Sequence, residues 1–141
     1  MAFRKNRHIR NEIVIAIRNN LNGGVLTLRT GGQPVAADDP PTGTLLCTIQ
    51  LPNPSFSGPD VGANEGLLTL TGTWSGVSSA SGVAGWARIV GLPRPSGYPW
   101  GIVDVSVGGS GSGADMIIDN TSIATGATIN VIGFTIFEHP G

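Results

Sequence analysis

The chain is short of cysteine, lysine and charge, and each shortage excludes something. The single cysteine, Cys47, permits no internal disulfide and no cysteine-rich zinc site. It lies in the apolar run Leu45-Leu46-Cys47-Thr48-Ile49 and reads as a buried, inert thiol. Only 12% of the residues are charged, where about a quarter is usual. The surface is therefore carried by Ser, Thr, Gly and Asn, or is partly covered by other chains. Lys5 is the sole lysine, so strand edges are not blunted by lysine in the ordinary way. Unprotected edges either aggregate or are occupied by a partner strand.

Catalytic chemistry is equally scarce. The two histidines, His8 and His139, lie near opposite ends, and neither stands at a catalytic spacing from a carboxylate. There is no Gly-x-Ser-x-Gly elbow. Gly109-Ser110-Gly111-Ser112-Gly113 lacks the Lys-Ser/Thr of a phosphate loop and joins strand to strand, so it reads as a turn. Asp38-Asp39 and the pair Asp115 and Asp119 lack calcium-loop spacing and read as solvated turn carboxylates. The expectation is no enzyme, no catalytic residue, no metal and no cofactor. The charge-free stretches 66–87 and 120–137 are broken by Gly, Ser, Thr and Asn, so neither reads as a membrane span. The basic start through His8 is followed by nothing long and apolar enough for a signal peptide, which predicts synthesis in a cytoplasm. Asn120-Thr121-Ser122 then matches a glycosylation sequon by chance.

What is present is one domain's worth of chain. The 141 residues can bury about two-thirds of the unfolded surface around a single core. With 22 glycines and 10 prolines, a long helical bundle is excluded. The net charge of −1 hides an asymmetry. Residues 1–18 carry Arg4, Lys5, Arg7, Arg10 and Arg18 against Glu12, whereas the rest carries three arginines against eight acids. A basic arm on an acidic body points to docking on protein surfaces, and its few bases lack the extended stripe that nucleic acid requires.

Ile9, Ile13, Ala16, Ile17 and Leu21 recur at helical spacing and predict an amphipathic helix over residues 8–21, closed by Asn22-Gly23-Gly24. Its apolar face, Ile9, Ile13, Ile17 and Leu21, packs on its own sheet or across a dimer interface. Arg4, Lys5, Arg7 and Arg10 stand at the end where the helix dipole disfavours positive charge, so an acidic partner is sought for them. After Gly24 the period becomes two. Strands are predicted at Val25–Arg29, Thr44–Leu51, Leu67–Trp74, Val83–Val90, Gly101–Val107, Asp115–Asn120 and Ala127–Phe137, with a bulge at Gly133. Loops span Thr30–Gly43 and Pro52–Glu65, and a proline-rich bend spans Pro93–Pro99. Seven strands with regular turns and one helix predict an all-β fold, an antiparallel jelly roll or β-sandwich, over residues 25–141 behind an arm and helix at 1–24. Trp74 shares a face with Leu68 and Leu70 and reads as core; Trp86 and Trp100 also fall in or beside strands.

Several stretches taken in order carry a likeness. They are Leu28-Arg29-Thr30-Gly31, Pro41 through Ile49, Gly72-Thr73-Trp74, Gly85 through Ile89, Gly113 through Thr121, and Gly133 through Ile136. In these the chain resembles the jelly-roll capsid cement or decoration proteins of tailed bacteriophages. The resemblance implies a structural virion protein on the capsid exterior that clamps adjacent major capsid protein subunits. The residue reading adds a homodimer, with no nucleic acid and no membrane as partner. Arg4, Lys5, Arg7 and Arg10 are then the candidate contacts to capsid or subunit. The alternative is a tail- or fibre-associated module that binds a host glycan through exposed tryptophans.

Overall fold

The computed structural model describes residues 3–60, 65–93 and 101–140. The bend at 94–100, with Trp100, and residues 61–64 of the second loop lie outside the described residues.

Helix α1 spans Arg7–Leu21. Asn6 caps it, its side chain accepting from the Ile9 N–H at 3.1 Å. At the other end the Asn22 N–H returns to the Arg18 carbonyl, and Gly23 takes the left-handed conformation at φ 70°. Val14 and Leu21 pack into the core and Ile17 lies half-buried against it, whereas Ile9 is 46% exposed and Ile13 half-buried. This corrects the predicted apolar face. Steps of four residues drift about 40° each around a helix of 3.6 residues per turn. Ile9 has therefore rotated out by the time Leu21 faces in, and Val14 takes its place.

Among the described residues ten strands follow: β1 (Val25–Thr30), β2 (Leu45–Gln50), β3 (Phe56–Ser57), β4 (Leu67–Leu70), β5 (Ser75–Val77), β6 (Gly82–Val90), β7 (Ile102–Gly108), β8 (Met116–Ile118), β9 (Ser122–Ile123) and β10 (Thr128–Phe137). The molecule is thus mostly β with one helix, as expected. The main path runs β2-β1-β6-β7-β8-β10-β4-β3, with β5 on β10 and β9 on β6. The register slips between Val131 and Gly133, where the bulge was predicted. A bridge between Cys47 and Ser78, with the Ser79 N–H on the Leu46 carbonyl at 2.8 Å, draws β2 toward the end of β5. The sheet curls accordingly into a half-barrel.

Two expectations need correction. The sheet is mixed rather than antiparallel, because β7 and β8 run parallel through Val107–Met116 and Gly108–Ile117. The glycine-rich segment 109–113 carries the chain back along β7 instead of reversing it, with Gly111 and Gly113 at positive φ. The predicted strand Leu67–Trp74 ends at Leu70, and the strand count rises because β3, β5 and β9 each pair over only two or three residues.

The core joins the helix to the sheet. Val14 and Leu21 belong to one cluster with Leu26, Leu28, Ile49 and Ile89. Phe56, Trp74 and Phe134 form an aromatic group within it, with Phe56 edge-on to Trp74 at 5.4 Å. Trp74 is fully buried, and its Nε1 donates to the Thr71 carbonyl. Gly91 lets the last turn of α1 rest on the end of β6: a Cβ there would lie 1.8 Å from the Asn20 carbonyl oxygen.

Candidate interaction surfaces

The two termini lie side by side. Lys5 Nζ is 3.1 Å from Glu138 Oε1 and 5.4 Å from the Phe3 ring centre, and the Lys5 N–H bonds the Pro140 carbonyl. Arg7 and Arg10 reach opposite oxygens of Glu65 at 3.4 and 3.9 Å. The acids that the basic helix start calls for are thus supplied within this chain, by Glu65 and Glu138. Lys5 and Arg10 are largely covered, whereas the Arg7 side chain is 67% exposed. Arg4 is exposed and makes no ion pair among the described residues. Phe3 is exposed, and half-exposed Phe137 stacks edge-on against His139 at 4.6 Å. The result is an outward patch of aromatic rings and positive charge, fixed by ion pairs behind it.

A second polar arrangement is turned inward. Alternation along β6 places Ala87 and Ile89 in the core and sends Trp86 and Arg88 to the opposite face. Arg88 stands opposite Asp104 of β7 and forms a two-pronged bridge, Nε–Oδ1 at 2.7 Å and Nη2–Oδ2 at 2.9 Å. Its Nη1 donates to the Asp39 carbonyl at 2.8 Å, which pins the long loop Gly31–Gly43 over this face. Both partners are buried, and the hydrogen bonds to Asp104 raise the Arg88 pKa although burial opposes them. Trp86 is fully buried beside Arg88, whose guanidinium carbon lies 5.5 Å from its ring centre. The sequence reading missed this bridge. The available signal was that Arg88 and Asp104 each occupy the polar phase of consecutive strands.

A concave feature lies between α1, β7 and β10. One part, of about 240 Å³, is lined by Ile17, Val103, Val105, Asp115, Phe134 and Ile136. It adjoins a part of about 220 Å³ that shares Ile17 and Val103 and extends to Asn20 and Gly101. Each is smaller than the roughly 300–1,000 Å³ of ordinary ligand pockets. The groove exists because β8 is only three residues long and separates β7 from β10 at one end alone. Asp115 closes that end, one carboxylate oxygen accepting from the Ser106 N–H and hydroxyl at 3.1 Å each.

The structure brings Lys5, Arg7 and Arg10 together around Glu65 and Glu138, and separates Ile9 from the buried helix face. Cys47 is buried, and burial pushes its thiol pKa up, as an inert thiol requires. Trp74 and Trp86 are buried and offer no ring face to a glycan. Among the described residues no group of histidine, cysteine or carboxylate side chains is placed to hold a metal, and no helix is long and apolar enough to cross a membrane. Comparison of the chain with protein-family models, with curated proteins and with solved structures gives no match.

Proposed function

We propose that the protein is a structural virion component, a cement protein that docks on the outside of a phage capsid and clamps adjacent major capsid subunits. The observation that carries this reading is the patch at the joined termini. Phe3, Arg4 and Arg7 face outward there, on a segment fixed by Lys5–Glu138 and Arg10–Glu65. Aromatic rings with a positive fringe suit an acidic protein surface, and arginine with aromatic side chains is enriched at interface hot spots. In this reading the curled sheet is a variant of the jelly roll, and the protein associates with a second copy at two-fold positions of the shell. The low surface charge fits dense packing among neighbours, since an unpaired charge buried at an interface costs several kcal/mol. The glycan-binding alternative loses two of its three tryptophans to the interior.

The test is occupancy on intact particles. Hundreds of copies per particle support a shell protein, whereas six or twelve would assign it to the tail and overturn the reading. Replacing Arg4 and Arg7 with serine leaves the β-fold intact by circular dichroism and lowers occupancy, most at low salt, because exposed pairs are screened within about 3 Å at 1 M. Occupancy that is unchanged across a salt series would remove the patch from the contact.

A further inference from the structure

The groove between β7 and β10 has the bonding pattern of a strand position that no described segment of the chain fills. Beyond Asp115 no described strand pairs with β7 on the side away from β6. The Gly101 carbonyl accepts from Gly91 on the β6 side, whereas the Ser106 N–H points the other way, to Asp115. Strand alternation then aims the backbone N–H and C=O groups of Ile102 and Asp104 into the seam. On the far wall the Glu138 N–H bonds Gly66 beyond β4, so alternation aims Thr135 and Phe137 into the same seam. Val103, Val105, Phe134, Ile136 and Ile17 form its apolar inner wall. Two facing hydrogen-bonding edges over an apolar wall are what a single extended segment needs.

Charge selects the occupant. Asp104 is neutralised by Arg88, and Glu138 by Lys5. Asp115 is exposed at the closed end of the seam, and no base pairs with it among the described residues. We infer that the seam is a strand-addition site for an extended segment of a partner protein. That segment alternates apolar and polar residues and carries a lysine or arginine at the end that meets Asp115. The inference rests on the seam alone and holds wherever the partner resides.

The probe is a pair of capped hexapeptides that alternate valine and threonine with lysine at one or the other end, added to the full chain and followed by amide NMR. Binding of either peptide should saturate and slow hydrogen exchange at Ile102, Asp104, Thr135 and Phe137. Methylating the peptide nitrogens that face β7 should weaken binding about tenfold, the cost of one or two lost hydrogen bonds. Exchanging the lysine for glutamate should weaken it too, and Asp115→Asn should abolish that discrimination. Four results would overturn the inference. They are no saturable shift at the seam, shifts confined to the outer edge of β3, indifference to N-methylation, or a self-dimer in which the same seam amides are already protected by a second copy.

Discussion

The two flanks of the half-barrel are built differently. On the flank β2-β1-β6-β7, neighbouring strands pair over five or six positions, and the polar face carries a buried ion pair locked by a loop. On the flank β8-β10-β4-β3, pairing runs over two or three positions at a time, and an apolar seam opens beside β7. Both use similar residues, so hydrophobicity does not distinguish them. What differs, among the described residues, is how far neighbouring strands are paired and whether the principal carboxylate has a basic partner. The first flank is paired along its strands and seals Asp104 against Arg88; the seam beside the second keeps backbone edges, an apolar wall and a carboxylate available for another molecule.

Substitutions should separate the flanks by size of effect. Asp104→Ala leaves the Arg88 guanidinium buried and without its carboxylate, and should cost about 3–5 kcal/mol in urea unfolding. A loss below about 1 kcal/mol, the size of an exposed pair, would show that water reaches the bridge and that this flank is not closed. On the open flank, Ile17→Ala removes a side chain from a groove that water already reaches. It should cost about 1–2 kcal/mol, under the 2–5 typical of a fully buried site. A larger loss would place Ile17 in the closed core.

The smallest effect belongs to Asp119, which extends the β8–β10 pairing by accepting from the backbone and side chain of Asn130. Burial pushes its pKa up, but these hydrogen bonds favour the charged form more and leave it below the ordinary 3.8. The native state thus binds this proton more weakly than the unfolded chain. Its contribution is complete above pH 3.8 and is lost as pH falls through the lower native value. Asp119→Asn should flatten stability against pH in that acid range and lower stability slightly and evenly above it, where the carboxylate's contribution is complete. An identical acid limb in both proteins would discard the assignment.

Much of the closed flank was legible in the sequence. Its strands are long enough for period-two alternation to show, and Asn22-Gly23-Gly24 announces the end of the helix. The open flank was not. Ser75–Val77 and Ser122–Ile123 are strands only because Thr128–Asn130 and Gly82–Val83 lie beside them, and no local pattern carries that information. The parallel pairing of β7 with β8 was hidden because a glycine-rich segment reads as a simple reversal. The seam follows from strand order, which hydrophobic periodicity does not encode. Glu65 and Glu138 were visible as acids, yet only the fold brings them to the helix start.

The account turns on the seam being open in the free protein, and amide hydrogen exchange along β7 reads this directly. Val103 and Val105 bond toward β6 and should exchange slowly, whereas Ile102 and Asp104 face the seam and should exchange far faster, giving an alternating pattern along one strand. Uniformly slow exchange from Ile102 to Val105 in the monomer would contradict it, because the edge would then already be paired.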